Sequence, residues 1–169
     1  MEEGFKLEQV AIRLVPEAAV WDAEPIRSPE RVVEVIGKYI RDMDREAVCV
    51  VNFNARLQPI NFQIVSIGTL DRALCEPREL LKAGILSNAS SMMILHNHPA
   101  GSIAPSGCDI QMTERMEKVC ELVGIPLMDS IIVGFGREDY FSFRDASMLV
   151  EQNQQNDRAA EERSRRGER

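Results

Sequence analysis

The only two histidines of this 169-residue chain stand one residue apart in LHNHPAGSIAPSGCD, Leu95 to Asp109. They close an apolar run, and alternate residues of a strand share a face, so His96 and His98 are expected to project together from a strand end. Pro99 cannot continue a ladder and forces a loop. Asp109 follows eleven residues after His98, in the first turn of a helical pattern, where the loop can return its carboxylate to the imidazoles. Two nitrogens and one carboxylate oxygen make three protein ligands. With the fourth tetrahedral position left to water, that set describes a catalytic zinc rather than a structural one. Each part has a plainer reading when taken alone. A bare His-x-His is as readily incidental, and Ser106-Gly-Cys-Asp109 has the form of a helix capping box. The cap and the metal site are compatible, because a serine on a helix rim can do both. The combined spacing His-x-His-x(7)-Ser-x-x-Asp is what points to a metal.

The elements that must position these residues follow from local pattern. SMMILHNH (91–98) is a short apolar run, expected to be a buried central strand with Met92 and Met93 as core fillers. SGCDIQMTERMEKVCELVG predicts the clearest helix, with Ile110, Met116, Val119, Cys120 and Val123 as its apolar face and Gly124 as its stop. EAVCVVNFN (46–54) and INFQIVSIG (60–68), joined by ARLQ, predict an antiparallel hairpin. SPERVVEVIGKYIRDMD predicts a helix capped by Ser28 with Pro29 at its first position, its apolar face Val32, Val33, Ile36, Tyr39 and Ile40. EPRELLKAGILSNA predicts another, with Pro77 near its start, and LMDSIIVGFG and DYFSFRD supply two further strands. Residues 8–15 alternate weakly, as a first strand would. The division expected is an N-terminal strand and connector over 1–27, a domain over 28–150 and a charged, disordered tail over 151–169. Interleaved strands and helices give an α/β or α+β sandwich with a mixed sheet between helices.

Bulk properties narrow the function. A formal charge of −7 argues against nucleic-acid binding held mainly by phosphate contacts. No apolar run approaches the roughly 20 residues of a membrane span. The acidic opening MEEGFKLEQVAIRLV lacks the pattern of a secretory signal, so a cytoplasmic protein is expected. Cys49, Cys75, Cys108 and Cys120 form no CxxC pair and read as reduced, mostly packed thiols.

These residues resemble the JAMM (MPN+) metalloprotease signature, and HNHPAG with the following PS..D is similar to its RadC-like branch. REAVCVVNFNARLQPI, EPRELLKAGILSNASSMMILHNHP, GIPLMDSIIVG and YFSFRD resemble further segments of that family in order, so the resemblance covers residues 28 to 146. It implies the three-layer, cytidine-deaminase-like sandwich of MPN domains and one Zn2+ per chain held by His96, His98 and Asp109. It also implies Glu46 as the catalytic acid/base and Ser106 as the residue that stabilises the reacting group. The implied reaction is attack of a zinc-activated water on a peptide or isopeptide carbonyl, with Glu46 relaying the proton and Ser106 donating to the oxyanion. The chemistry agrees, since an activated water needs a carboxylate nearby. By sequence alone, however, Glu46 ranks only slightly above an ordinary strand-end glutamate.

Three positions depart from the family pattern: Ala100, Ser102-Ile103 and Ser130. None is a ligand in the signature, so they bear on substrate contacts rather than on zinc. Asn97 is expected to point away from the metal and tie a loop. Cys108 is expected to turn into the helix interior, and Asp129 to be a strand-end hydrogen-bonding residue. Arg78 is expected to fix a loop before it holds a substrate carboxylate, and nothing decides the place of Trp21. The alternative functions are a catalytically silent MPN scaffold, an accessory in DNA repair or mobile-element biology, and a metal-dependent nuclease. Zinc is favoured by the His-His-Asp set. Substrate identity and oligomeric state are not legible.

Overall fold

The computed structural model describes residues 11, 13–17, 19, 26, 28–68, 75–136 and 138–149. Trp21, most of the connector and the tail lie outside them. Of the strand expected over 8–15, residues 11 and 13–15 are described and belong to no strand, and Leu14 and Val15 are exposed.

The sheet has five strands, β1 (Ala47–Phe53), β2 (Pro59–Ile67), β3 (Ser91–His98), β4 (Leu127–Gly134) and β5 (Tyr140–Ser142). Their order is β2-β1-β3-β4-β5. β3 pairs antiparallel with β1 and parallel with β4, so the sheet is mixed. Three helices flank it: α1 (Pro29–Val35), α2 (Pro77–Leu86) and α3 (Gly107–Val123). Alternation along β1 sorts the layers. Ala47, Cys49, Val51 and Phe53 join Met93 and Leu95 under α1. Val48 and Val50 join Met92 and Ile94 under α2 and α3, against Leu80, Met116 and Cys120. Both faces are therefore apolar, and β1 is buried at every position. The result is the expected α/β three-layer sandwich with helices on both faces of a mixed sheet.

The hairpin, α2, β3, α3 and the two last strands stand where local pattern puts them. α1 is shorter than expected. Ser28 caps it, its side chain accepting from Arg31 N at 3.4 Å, but it ends at Val35. A single 3-10 turn over Gly37–Tyr39 follows. The α-helix stops at the Ile36 cap, whose N–H bonds Val32 O, and Gly37 follows in contact range of Val133 of β4. Tyr39 consequently leaves the buried face, 40% exposed, and stacks on Phe62. The buried face of α3 also differs. Thr113 is buried with Met116 and Cys120, while Val123 is exposed. Thr113 donates to Ser130 Oγ at 3.1 Å, and this bond satisfies the hydroxyl inside the core. Val123 lies in the last turn, beyond the packed face.

One close packing gives a stability test. A Cβ on Gly84 of α2 would lie 2.9 Å from Asn52 Oδ1. Asn52 is fully buried and donates to Asn61 Oδ1 at 2.7 Å, so it cannot turn aside without losing that bond. Gly84→Ala gains helix propensity worth about 0.5–1 kcal/mol, against overpacking that costs about 1–3 kcal/mol. A net loss of about 1 kcal/mol and a melting temperature lower by about 2–4 °C are expected. In an Asn52→Ala background the same substitution should be neutral or stabilising. Thermal melts of the four proteins check both statements.

Candidate metal centre

β3 delivers the histidines at its carboxyl end, beside the parallel strand β4, a place where α/β sheets commonly open a crevice. His96 and His98 share the α3 face of the sheet. Their rings are 5.0 Å apart, centroid to centroid. The chain turns at once: Gly101 N donates to His98 O at 2.8 Å, and the loop leads into α3.

The start of α3 returns Asp109. Ser106 caps the helix, its Oγ accepting from Asp109 N at 3.2 Å, while Ser106 N donates to Asp109 Oδ2 at 2.7 Å. This is a complete capping box. The box fixes the carboxylate and aims it at the strand end. Asp109 Oδ1 lies 3.1 Å from His96 Nε2, and Oδ2 lies 3.4 Å from His98 Nε2. One ligand atom from each of the three residues lies within 4.8 Å of the others, a group able to hold a metal ion. The cap and the group able to hold a metal thus share Asp109.

Two features show that the donor set fits a cation. His96 is buried, and neither Nδ1 nor Nε2 has a hydrogen-bond partner, despite the nearby carboxylate. A buried imidazole nitrogen without a well-formed hydrogen bond is costly, and coordination through Nε2, 3.1 Å from Asp109 Oδ1, would satisfy one of the two. His98 is oriented differently. Its Nδ1 lies 2.7 Å from Ser102 O, which makes Nδ1 the protonated nitrogen and leaves the Nε2 lone pair for a metal. Because the Ser102 carbonyl does this, the Ser102 side-chain departure does not disturb it.

The charged groups of the cluster act strongly on one another. The Asp109 carboxylate beside His98 raises the imidazole above 6.5, against the opposing effect of burial, with help from Ser102 and Glu46. Burial alone would raise the Asp109 carboxyl, but the two imidazoles and Ser106 outweigh it and hold the group well below the usual carboxylate range.

Glu46 comes to this end of the sheet through register. Val48 of β1 is the partner of His96, the last pair of that ladder, and Glu46 lies two residues before Val48, just outside the strand. It is half-buried, just before β1, and its charge is felt at His98. Gly68 N donates to Glu46 O at 2.9 Å. Ser106 is exposed on the rim.

The family profile of the RadC-like JAB domain matches residues 26–148. The chain belongs to the RadC-like JAB domain family. Curated relatives of this RadC-like chain include UPF0758 proteins of Streptococcus sanguinis, 30% identical over 82% of this chain and 60% of the relative, and of Chlorobaculum parvum, 38% identical over 73% and 55%. A third, from Desulforamulus reducens, is 40% identical over 64% and 48%. The chain therefore spans about half to three-fifths of the length of the relatives it matches.

The remaining residues singled out in this RadC-like chain fall as follows. Asn97 turns to the opposite face from its histidine neighbours. Asp129 lies within β4, fully buried, accepting from Ser142 Oγ at 2.6 Å, Ser130 N at 2.7 Å and Arg144 N at 3.0 Å; it is outside the metal cluster. Cys108 is exposed, not turned inward as expected, because the first turn of α3 overhangs the site instead of packing on the sheet. The other three cysteines are buried and all four thiols are free. Arg78 is exposed in the first turn of α2, and Ala100 in the loop. A cavity of about 350 Å³ lies on the α1 face, among Val32, Phe53, Met93 and Met128, away from the histidines. Sequence reasoning missed the Ser102 carbonyl, for which a side-chain motif carries no signal. Among the described residues, no helix is long and apolar enough to cross a membrane.

Proposed function

We propose that this domain is a zinc-dependent hydrolase of amide bonds, a peptidase or isopeptidase, with His96, His98 and Asp109 as metal ligands. The observation that carries the reading is the buried, unpartnered His96 imidazole facing Asp109 and His98. A bound zinc supplies Lewis acidity, polarising a carbonyl and acidifying a water. The chain's own residues supply the rest. Asp109, pinned by the Ser106 cap, keeps its charge and holds its place. The Ser102 carbonyl keeps His98 in the Nε2-ligating tautomer. Glu46, whose charge is felt at His98, is the group to take a proton from the attacking water and give it to the leaving amine. Ser106 Oγ accepts from the helix, so its own proton is free to be donated to an oxyanion at the exposed rim. Four free thiols fit a reducing, cytoplasmic compartment.

Metal analysis after chelator-free purification, joined to peptide-library cleavage with and without chelator, tests the reading. About one zinc per chain and chelator-sensitive cleavage are expected. A chain that takes up no zinc even when it is supplied is not a metallohydrolase. A zinc-loaded chain that cleaves no amide bond favours the silent scaffold.

A further inference from the structure

Asn97 sits between the two histidines and faces the other way. It is fully buried, and every polar atom of its amide is used. Its Oδ1 accepts from Ala47 N at 2.7 Å, and its Nδ2 donates to Arg45 O at 3.0 Å and Met43 O at 3.3 Å. Arg45 and Ala47 are the residues on either side of Glu46. Regular β1 begins only at Ala47, so no strand ladder fixes the segment 43–46. Met43 at its start is held by the bond from its N to Ile40 O at 3.1 Å and by packing on the core; around Glu46 the anchors are this amide on one side and the Gly68 N–H, bonded to Glu46 O, on the other.

We propose that Asn97 is a positioning residue for Glu46. Because it is covalently continuous with His96 and His98, its clamp ties the place of the Glu46 carboxylate to the place of the ligands. The segment is otherwise about 50 residues away in sequence, and register alone does not hold residues outside the ladder. The chemistry of the clamp calls for an amide. One acceptor must meet an N–H while a two-proton donor meets two carbonyls, and an asparagine side chain offers both in one plane. Aspartate keeps the acceptor but sets a second oxygen against the two carbonyls, and serine brings one proton. The inference rests on the reading of Glu46 as the acid–base group.

The test is positional. The chain is loaded with cobalt(II), and the paramagnetic relaxation of the Glu46 side-chain carboxyl carbon is measured with 13C-labelled glutamate, Glu46→Gln giving the assignment. In the wild type the Glu46 signal is expected among the most strongly relaxed. In Asn97→Ala, with cobalt stoichiometry unchanged, a displacement of about 1 Å, which costs on the order of 100-fold in rate when it affects a catalytic group, lowers the enhancement more than about twofold. A loss of stability alone leaves the enhancement of the folded protein unchanged. Strong relaxation in the wild type that persists in Asn97→Ala overturns the positioning role and leaves the Glu46 reading intact. Weak relaxation in cobalt-loaded wild type overturns the Glu46 reading itself, and the positioning role with it. If Asn97→Ala does not fold, Asn97→Asp carries the same measurement, since it retains the volume and the bond to Ala47 N.

Discussion

Replacing Asp109 with alanine is expected to strip the domain of its metal. The substitution removes one of three protein ligands, so the loss of affinity should exceed the roughly 10–100-fold that follows loss of an outer-shell partner. Zinc per chain should fall from about one to near zero after dialysis. The same change removes one half of the capping box, the bond from Ser106 N to Asp109 Oδ2, at about 0.5–1.5 kcal/mol in the metal-free protein. That smaller effect has a pH signature. The Asp109 carboxyl is held below its ordinary 3.8, so its contribution is present above that value and is lost as pH falls through the depressed one. Denaturant melts of metal-free wild type and Asp109→Ala should differ near neutrality and converge in acid. Zinc retention in the wild type should fail earlier on the acid side. His98 is raised above 6.5 by the carboxylate beside it, so protons compete with the metal from above that pH downward. Metal analysis after equilibration across pH 5–8 checks the direction; a retention that rises with acidity would contradict the ligand set.

Glu46→Gln is expected to separate binding from turnover. Its charge is felt at His98, but it is not among the three residues whose atoms converge, and the contacts that hold its segment are made to backbone. The glutamine variant should therefore fold and keep about one zinc per chain. Its cleavage of a peptide found by library profiling should drop about 10²–10⁴-fold, the usual contribution of a positioned acid–base group. Turnover at the wild-type level would remove Glu46 from the mechanism. Loss of zinc with loss of turnover would make it a ligand instead. Together with Asp109→Ala, the two variants distinguish a failure to bind metal from a failure to move a proton.

Much of this molecule is written in short-range pattern. Ser91–His98 is a strand because eight residues of one apolar run end at a proline, and the structure bounds it at the same residues. α3 starts at the Ser106 cap and stops at Gly124, whose φ of 78° suits glycine. The hairpin and the Pro77 start of α2 are local in the same sense. These signals depend on residues within one or two turns of each other, where backbone sterics and capping bonds decide the outcome.

What the sequence by itself determined is the inventory and its spacing: two imidazoles on one face, a capped aspartate able to return to them, and the elements that carry each. Only the tertiary structure decided which of these meet. The antiparallel register of β1 on β3 brings the start of β1, with Glu46 just before it, to the histidine end of the sheet. Packing of α3 on the sheet chose Thr113 over Val123 for burial and left Cys108 outside. α1 ends at the Ile36 cap, short of the pattern that continues to Ile40. The Ser102 carbonyl on His98 and the Asn97 clamp on residues 43–47 are contacts to backbone across a loop or between strands. No residue type announces such contacts, because every residue carries the carbonyl or N–H they use; long-range packing alone selects which one is in reach.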